Sequence, residues 1–131
     1  MKKRLRFAKI SEQMKGWSAA LGDELLGWHK VTARNMFGMT TYYGKGMVFA
    51  ALPRTRAFEK PASIAFKLYE KTPRVLKELQ GDPAILNFSD KPNWIVMELR
   101  DEGDLRRALY WFHQSYRGCL SATSRPRKKS R

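Results

Sequence analysis

The sequence is poor in cysteine, histidine and acid, and each shortage excludes something. A single cysteine, Cys119, among 131 residues cannot close an intramolecular disulfide. His29 and His113 are the only histidines, and neither an HxxxH, an HExxH nor a CxxC spacing occurs, so no metal centre is expected. No serine sits in a GxSxG elbow, and Gly44-Lys45-Gly46 lacks the GxxxxGK[ST] frame of a phosphate-binding loop. The longest purely apolar run, Met47 to Leu52, is far shorter than the roughly 20 residues that span a bilayer. The basic start of the chain resembles the front of a signal peptide, but the polar stretch from Ser11 to Gly16 interrupts any export-length apolar segment. These absences predict a reducing, cytoplasmic setting and a protein with no catalytic residues, cofactor or metal.

What the sequence has in excess is positive charge. Lys and Arg number 26 against 12 Asp and Glu, giving +14 and a pI near 10.3, a balance that favours acidic partners. Much of the excess lies at the ends: Lys2, Lys3, Arg4, Arg6 and Lys9 at one, Arg125, Arg127, Lys128, Lys129 and Arg131 at the other, with no acid in either run. Removing these leaves only +4 over residues 10–120. The ends read either as arms that release counterions from a nucleic acid or an anionic membrane, or as solvated tails. The expected organisation is a basic arm over residues 1–10, one domain over 11–120, and a disordered basic tail over 121–131, where Pro and Ser accompany the charge.

The body holds enough apolar residues, 43% of the chain, to build a core. Met14, Trp17, Leu21, Leu25 and Trp28 fall at spacings of three and four after Ser11, which predicts a capped helix over about residues 11 to 29. Residues 31–38, 39–43 and 47–52 read as strands, with a tight hairpin at Lys45 between two glycines. Pro53 to Ser63 reads as a basic loop, and Ile64 to Tyr69 alternates as a half-covered strand. Thr72 and Pro73 open a short helix that ends at Gly81, with Val75, Leu76 and Leu79 facing inward. Trp94 to Leu99 forms a final strand, and an acidic first turn at Asp101, Glu102 and Asp104 opens a helix that closes at Arg117-Gly118. The order α-β-β-β-β-α-β-α predicts a two-layer α+β fold: an antiparallel sheet of about five strands with helices on one face.

Within the body, Arg54, Arg56 and Lys60 beside Phe58 form a candidate anion-binding or base-stacking loop. Tyr42, Tyr43 and Tyr69 are candidates for an exposed patch suited to dimerisation. Cys119 reads as a buried thiol near a helix end, and the two histidines as peripheral side chains.

Arg34-Asn-Met-Phe-Gly38, followed by Tyr43, Gly46 and Met47-Val-Phe49-Ala50, resembles the N-terminal domain of the TfoX (Sxy) competence-regulator family. Phe66-Lys67-Leu68 resembles that family's next strand, and Asp104-Leu105 through Trp111 its closing helix, so the similarity runs over about residues 11–118. The Pro53 to Ser63 loop is longer than the family's, and Trp94 to Leu99 is more apolar. The resemblance implies a two-layer α+β fold related to secretion-chaperone-like domains, with no catalysis or cofactor. It also implies that Gly38 serves a bend while Met36 and Phe37 fill core space. Longer members carry a further helical domain where this sequence has the basic run 121–131, so competence regulation is not carried over. The resulting expectation is a small regulatory or adaptor protein acting through protein contacts, including a homodimer. The alternative is nonspecific nucleic-acid binding through the basic ends.

Overall fold

The computed structural model describes residues 7–58, 60–70, 72–88 and 94–124. Among the described residues, eight strands and three helices occur in the order β1 (Phe7–Lys9), α1 (Glu12–Leu26), β2 (Val31–Met36), β3 (Met39–Gly44), β4 (Met47–Pro53), β5 (Arg56–Phe58), β6 (Ser63–Lys67), α2 (Pro73–Gln80), β7 (Ile85–Phe88), β8 (Trp94–Glu98) and α3 (Gly103–Ser124). Six strands form one antiparallel sheet in the order β2-β3-β4-β6-β8-β7, and β1 pairs with β5 as a separate ribbon. The fold is α+β with an open antiparallel sheet, and the helices pack against one of its faces.

Local chemistry sets most of these boundaries. The Ser11 hydroxyl accepts from the Met14 amide at 3.1 Å and opens α1, and the Thr72 hydroxyl does the same for Val75 at 3.2 Å in α2. Met14, Trp17, Leu21 and Leu25 are buried as one stripe of α1. Ile95, Met97 and Leu99 point into the core, with Ile64 and Phe66 beside them on β6. An irregularity in the β3–β4 ladder leaves Phe49 as an extra residue, so Phe49 and Ala50 both join the core beneath the helices. Trp28 and Tyr116 close around Phe49 at 6.2 and 5.6 Å, and Phe66 stacks on Trp111 at 5.5 Å.

Several expectations are corrected. The stretch read as a basic arm contains β1, followed by Ile10 in the core, and the loop read over residues 53–63 contains β5. These two pair across nearly the whole first half of the chain, which no local pattern announces. β7, a strand of only four residues that begins two residues after Pro83, is too short to read from the sequence, and it brings the main sheet of about five strands to six. α3 does not stop at Gly118 but runs through residues 121–124, into the stretch read as a disordered tail. Leu76 is exposed, and only Leu79 of α2 is fully buried.

The acids at the start of α3 do more than oppose its dipole. Asp104 is buried and accepts from the backbone amide and the Nε of Arg100, each at 2.9 Å. Arg107 joins Asp104 to Asp82, which also accepts from the Ala84 amide at 2.9 Å and the Trp111 indole at 3.2 Å. The Arg100 bond holds the Asp104 carboxyl below the usual carboxylate range against an opposing burial effect. For Asp82, burial pushes upward, and the bonds from Arg107, Ala84 and Trp111 together outweigh it.

A group whose folded pKa is depressed contributes stability above its unfolded pKa and loses it as pH falls through the folded value. Stability is therefore expected to drop below about pH 4. Asp104→Asn should cost about 1 to 2 kcal/mol at neutral pH, a figure reduced for the part-exposed Arg100, and flatten the acid limb of a melting-temperature profile.

Candidate nucleic-acid interface

The basic loop is held by the turn that carries the family resemblance. β2 and β3 are joined by Phe37 and Gly38, both at positive φ (53° and 78°), the geometry of a tight hairpin turn. Beyond it, the Gly38 carbonyl accepts from three successive amides, those of Arg54 (2.9 Å), Thr55 (2.9 Å) and Arg56 (3.3 Å). Such a run of converging N–H groups is an anion-type nest, here filled by a carbonyl oxygen. Gly38 is required twice over: by its φ, and because an added Cβ would lie 2.8 Å from the Thr55 hydroxyl. The expected bend at Gly38 is present. Met36 and Phe37, however, do not fill core space: Met36 is 38% exposed and Phe37 84% exposed.

The clamp places the start of β5 against β1. The Ile10 amide donates to the Thr55 carbonyl at 3.2 Å, and Lys9 stands directly opposite Arg56 in the ribbon. Lys15, on the first turn of α1, completes a cleft of about 280 Å³ with Lys9, Ile10, Thr55 and Arg56. Among the described residues, no carboxylate pairs with Lys9, Arg54 or Arg56, and Glu12 bonds Lys15 at 3.1 Å. Two like charges directly opposite in an antiparallel pair destabilise it. The acids of the α2–α3 side are meanwhile held by Arg74, Arg100 and Arg107, which leaves the cations of the ribbon unbalanced.

Of the candidates read from the sequence, Arg56 lines this cleft, whereas Arg54, whose amide shares the Gly38 carbonyl with that of Arg56, lines a neighbouring groove between α1 and strands β3 and β4. Lys60 is exposed, but it lines neither this cleft nor the groove beside α1. Lys2, Lys3, Arg4, Arg6, Arg125, Arg127, Lys128 and Lys129 lie outside the described residues. Sequence reasoning missed Lys15 as part of the cluster and Phe37 as a surface residue. The second was legible: a Phe-Gly pair between two strand runs is a two-residue turn, whose apex projects away from the core.

A bulky residue at positive φ carries a conformational cost, and a solvent-exposed phenyl ring adds no burial to offset it. Phe37→Asn would give this turn the Asn-Gly pair it favours. It should leave the protein unchanged or raise its stability by up to about 1 kcal/mol, read from the melting temperature. If the exposed ring stacks on an unpaired base, the same change should lower single-strand affinity about fivefold or more, since stacking on an aromatic contributes roughly 1 to 3 kcal/mol per base.

The remaining candidates are placed elsewhere. Tyr42 is buried beneath α1, Tyr43 lies on the opposite face beside Arg34, and the Tyr69 hydroxyl donates to the Val48 carbonyl at 2.6 Å, so the three make no common patch. Burial and the nearby Cys119 push the Tyr69 phenol up to about 12. The Cys119 thiol is buried against the Met47 carbonyl at 3.4 Å, and burial pushes it up to about 11, so it stays protonated at neutral pH. His113 is exposed and edge-on to Trp28, and His29 is exposed on the turn after α1. No group of three His, Cys, Asp or Glu among the described residues is placed to hold a metal ion. No helix among them is long and apolar enough to cross a membrane.

A polar cleft of about 430 Å³ between α2 and α3 gathers Glu70, Arg74, Glu78, Tyr110 and Arg117. Within it Arg74 pairs with Glu78, which also accepts from the Tyr110 hydroxyl at 2.6 Å. That bond raises the Tyr110 pKa.

No protein-family model matches the chain, and no curated protein or solved structure matches it either. The likeness to the TfoX N-terminal domain therefore rests on the quoted residues alone.

Proposed function

We propose that this protein acts by binding nucleic acid, gripping the phosphate backbone with Lys9, Lys15, Arg54 and Arg56 and offering Phe37 to an unstacked base. The observation that carries this reading is the Lys9–Arg56 juxtaposition, a like-charge pair with no acid paired to it among the described residues, next to the turn whose Gly38 carbonyl holds the Arg56 amide and whose Phe37 ring is exposed. A polyanion relieves the repulsion and releases counterions when it docks. The basic runs at residues 1–6 and 125–131 add phosphate contacts of the same kind, so the reading moves the grip from the chain ends to the folded body and keeps the ends as auxiliaries. The test is equilibrium binding of labelled single-stranded and duplex oligonucleotides across a salt series. The protein should bind both, the single strand more tightly, with log affinity falling linearly with log salt. No binding at low ionic strength rejects the proposal.

A second reading, a regulatory or adaptor role through protein contacts, is favoured by β2. This strand closes one end of the sheet, its outer edge is unpaired among the described residues, and five of its six residues are exposed. Such an edge accepts an added strand from a partner or from a second copy. Light scattering separates the forms: a dimer supports self-pairing, and a monomer throughout the micromolar range counts against it.

A further inference from the structure

The cationic cleft does not end at the ribbon. Lys15 also forms the near wall of a second cavity, of about 340 Å³, that runs between α1 and strands β3 and β4. Arg54 stands at this cavity beside Pro53 and Leu52, Ala19 contributes a small exposed residue of α1, and Leu26, 52% exposed, extends the apolar lining. Asp23, near the end of α1, supplies the opposite charge. Ser18 lines the same cavity with a buried hydroxyl that has no hydrogen-bond partner among the described residues. A buried hydroxyl without a partner is costly unless something donates to it or accepts from it.

We infer that this groove binds a small anionic amphiphile, with a carboxylate or phosphate head between Lys9, Lys15 and Arg56 and an apolar body along Ala19, Leu26 and Leu52. The cavity lies in the size range of small-molecule sites, with apolar walls and a few polar groups to fix orientation. Its charge is complementary to such a ligand in one direction only: the head is drawn to the cations, and Asp23 repels it. Among the described residues the cleft that would take the head is lined by three cations, Lys9, Lys15 and Arg56, and by no acid, with Lys15 bonded to Glu12 beside it, so the head end keeps a net positive field. The cationic cleft is shared with the proposed nucleic-acid contact, whereas the apolar groove is not, so a bound amphiphile competes for the phosphate-gripping residues.

The inference is tested by calorimetric titration of the full chain with octanoate and octyl phosphate, below their micellar concentrations, and with acetate and inorganic phosphate as headgroups alone. The eight-carbon ligands should bind about tenfold or more tighter than their headgroups, because part of the alkyl chain leaves water. The preference between octanoate and octyl phosphate identifies the head. Ala19→Leu fills the groove from an exposed helical position that tolerates leucine. It should abolish the alkyl gain while leaving phosphate and oligonucleotide binding intact. Arg56→Gln should weaken all four probes. Equal affinity for long and short ligands, or an octanoate affinity unchanged by Ala19→Leu, overturns the inference. Neither readout involves nucleic acid, so a failure here is distinct from a failure of the function proposed above.

Discussion

Replacing Lys9 and Arg56 together by glutamine is expected to lower nucleic-acid affinity about tenfold or more at physiological salt and to make the log–log salt slope shallower by roughly two, one for each lost phosphate contact. Because the two side chains face each other across the ribbon, their loss removes a repulsion. The variant should be as stable as the parent protein, or slightly more so. The matched control is Lys77→Gln with Arg106→Gln, two exposed cations of α2 and α3 that make no ion pair among the described residues. Both double variants change net charge equally, so an affinity set by overall charge falls alike in both. A local grip weakens only with the ribbon pair, and equal losses would refute it. Because backbone contacts carry no sequence information, the loss should be the same for every oligonucleotide sequence.

The second large effect concerns the turn that clamps the basic loop. Gly38 and Gly46 each occupy the second position of a tight hairpin turn at similar positive φ, 78° and 85°. Around Gly46 there is nothing within 4 Å of an added Cβ, whereas at Gly38 that carbon meets the Thr55 hydroxyl at 2.8 Å. Gly46→Ala should therefore cost only the backbone conformation, about 1 kcal/mol. Gly38→Ala should cost about 2 to 3 kcal/mol, because either Thr55 or the turn must move. In melting temperature this is a fall of about 4 °C against about 10 °C for a chain of this size. The two should also part in function. Moving the Gly38 carbonyl releases the amides of Arg54, Thr55 and Arg56, so Gly38→Ala weakens oligonucleotide binding well below its melting temperature and Gly46→Ala does not. Equal losses of stability and binding in the two variants would sink the clamp as a link between fold and site.

The resemblance to the TfoX N-terminal domain centres on Met36-Phe37-Gly38, and the structure divides those residues. Gly38 serves the fold as the resemblance implies, through its backbone and through a carbonyl that no sequence pattern points out. The resemblance implies a core position for Phe37, in line with the general tendency of phenylalanine to lie inside. Its position in a two-residue turn overrides that tendency, since the apex of such a turn has no layer above it. The competing rule was legible, but it ranked below hydrophobicity.

By itself, the sequence determined the caps at Ser11 and Thr72, the apolar stripe of α1, the alternation of β6 and β8 and the turn at Lys45, and with them an antiparallel sheet with helices on one face. Each is written within three or four residues, the range over which a side chain can bond its own turn or repeat on one face. Only the tertiary structure decided that Phe7–Lys9 pairs with Arg56–Phe58, that Lys9 meets Arg56 with Lys15 beside them, and that α2 and α3 hold their acids in ion pairs away from that cluster. Pairings between distant segments depend on how the whole core closes. The grouping of charges that follows is a property of the folded surface, and the order of residues along the chain does not contain it.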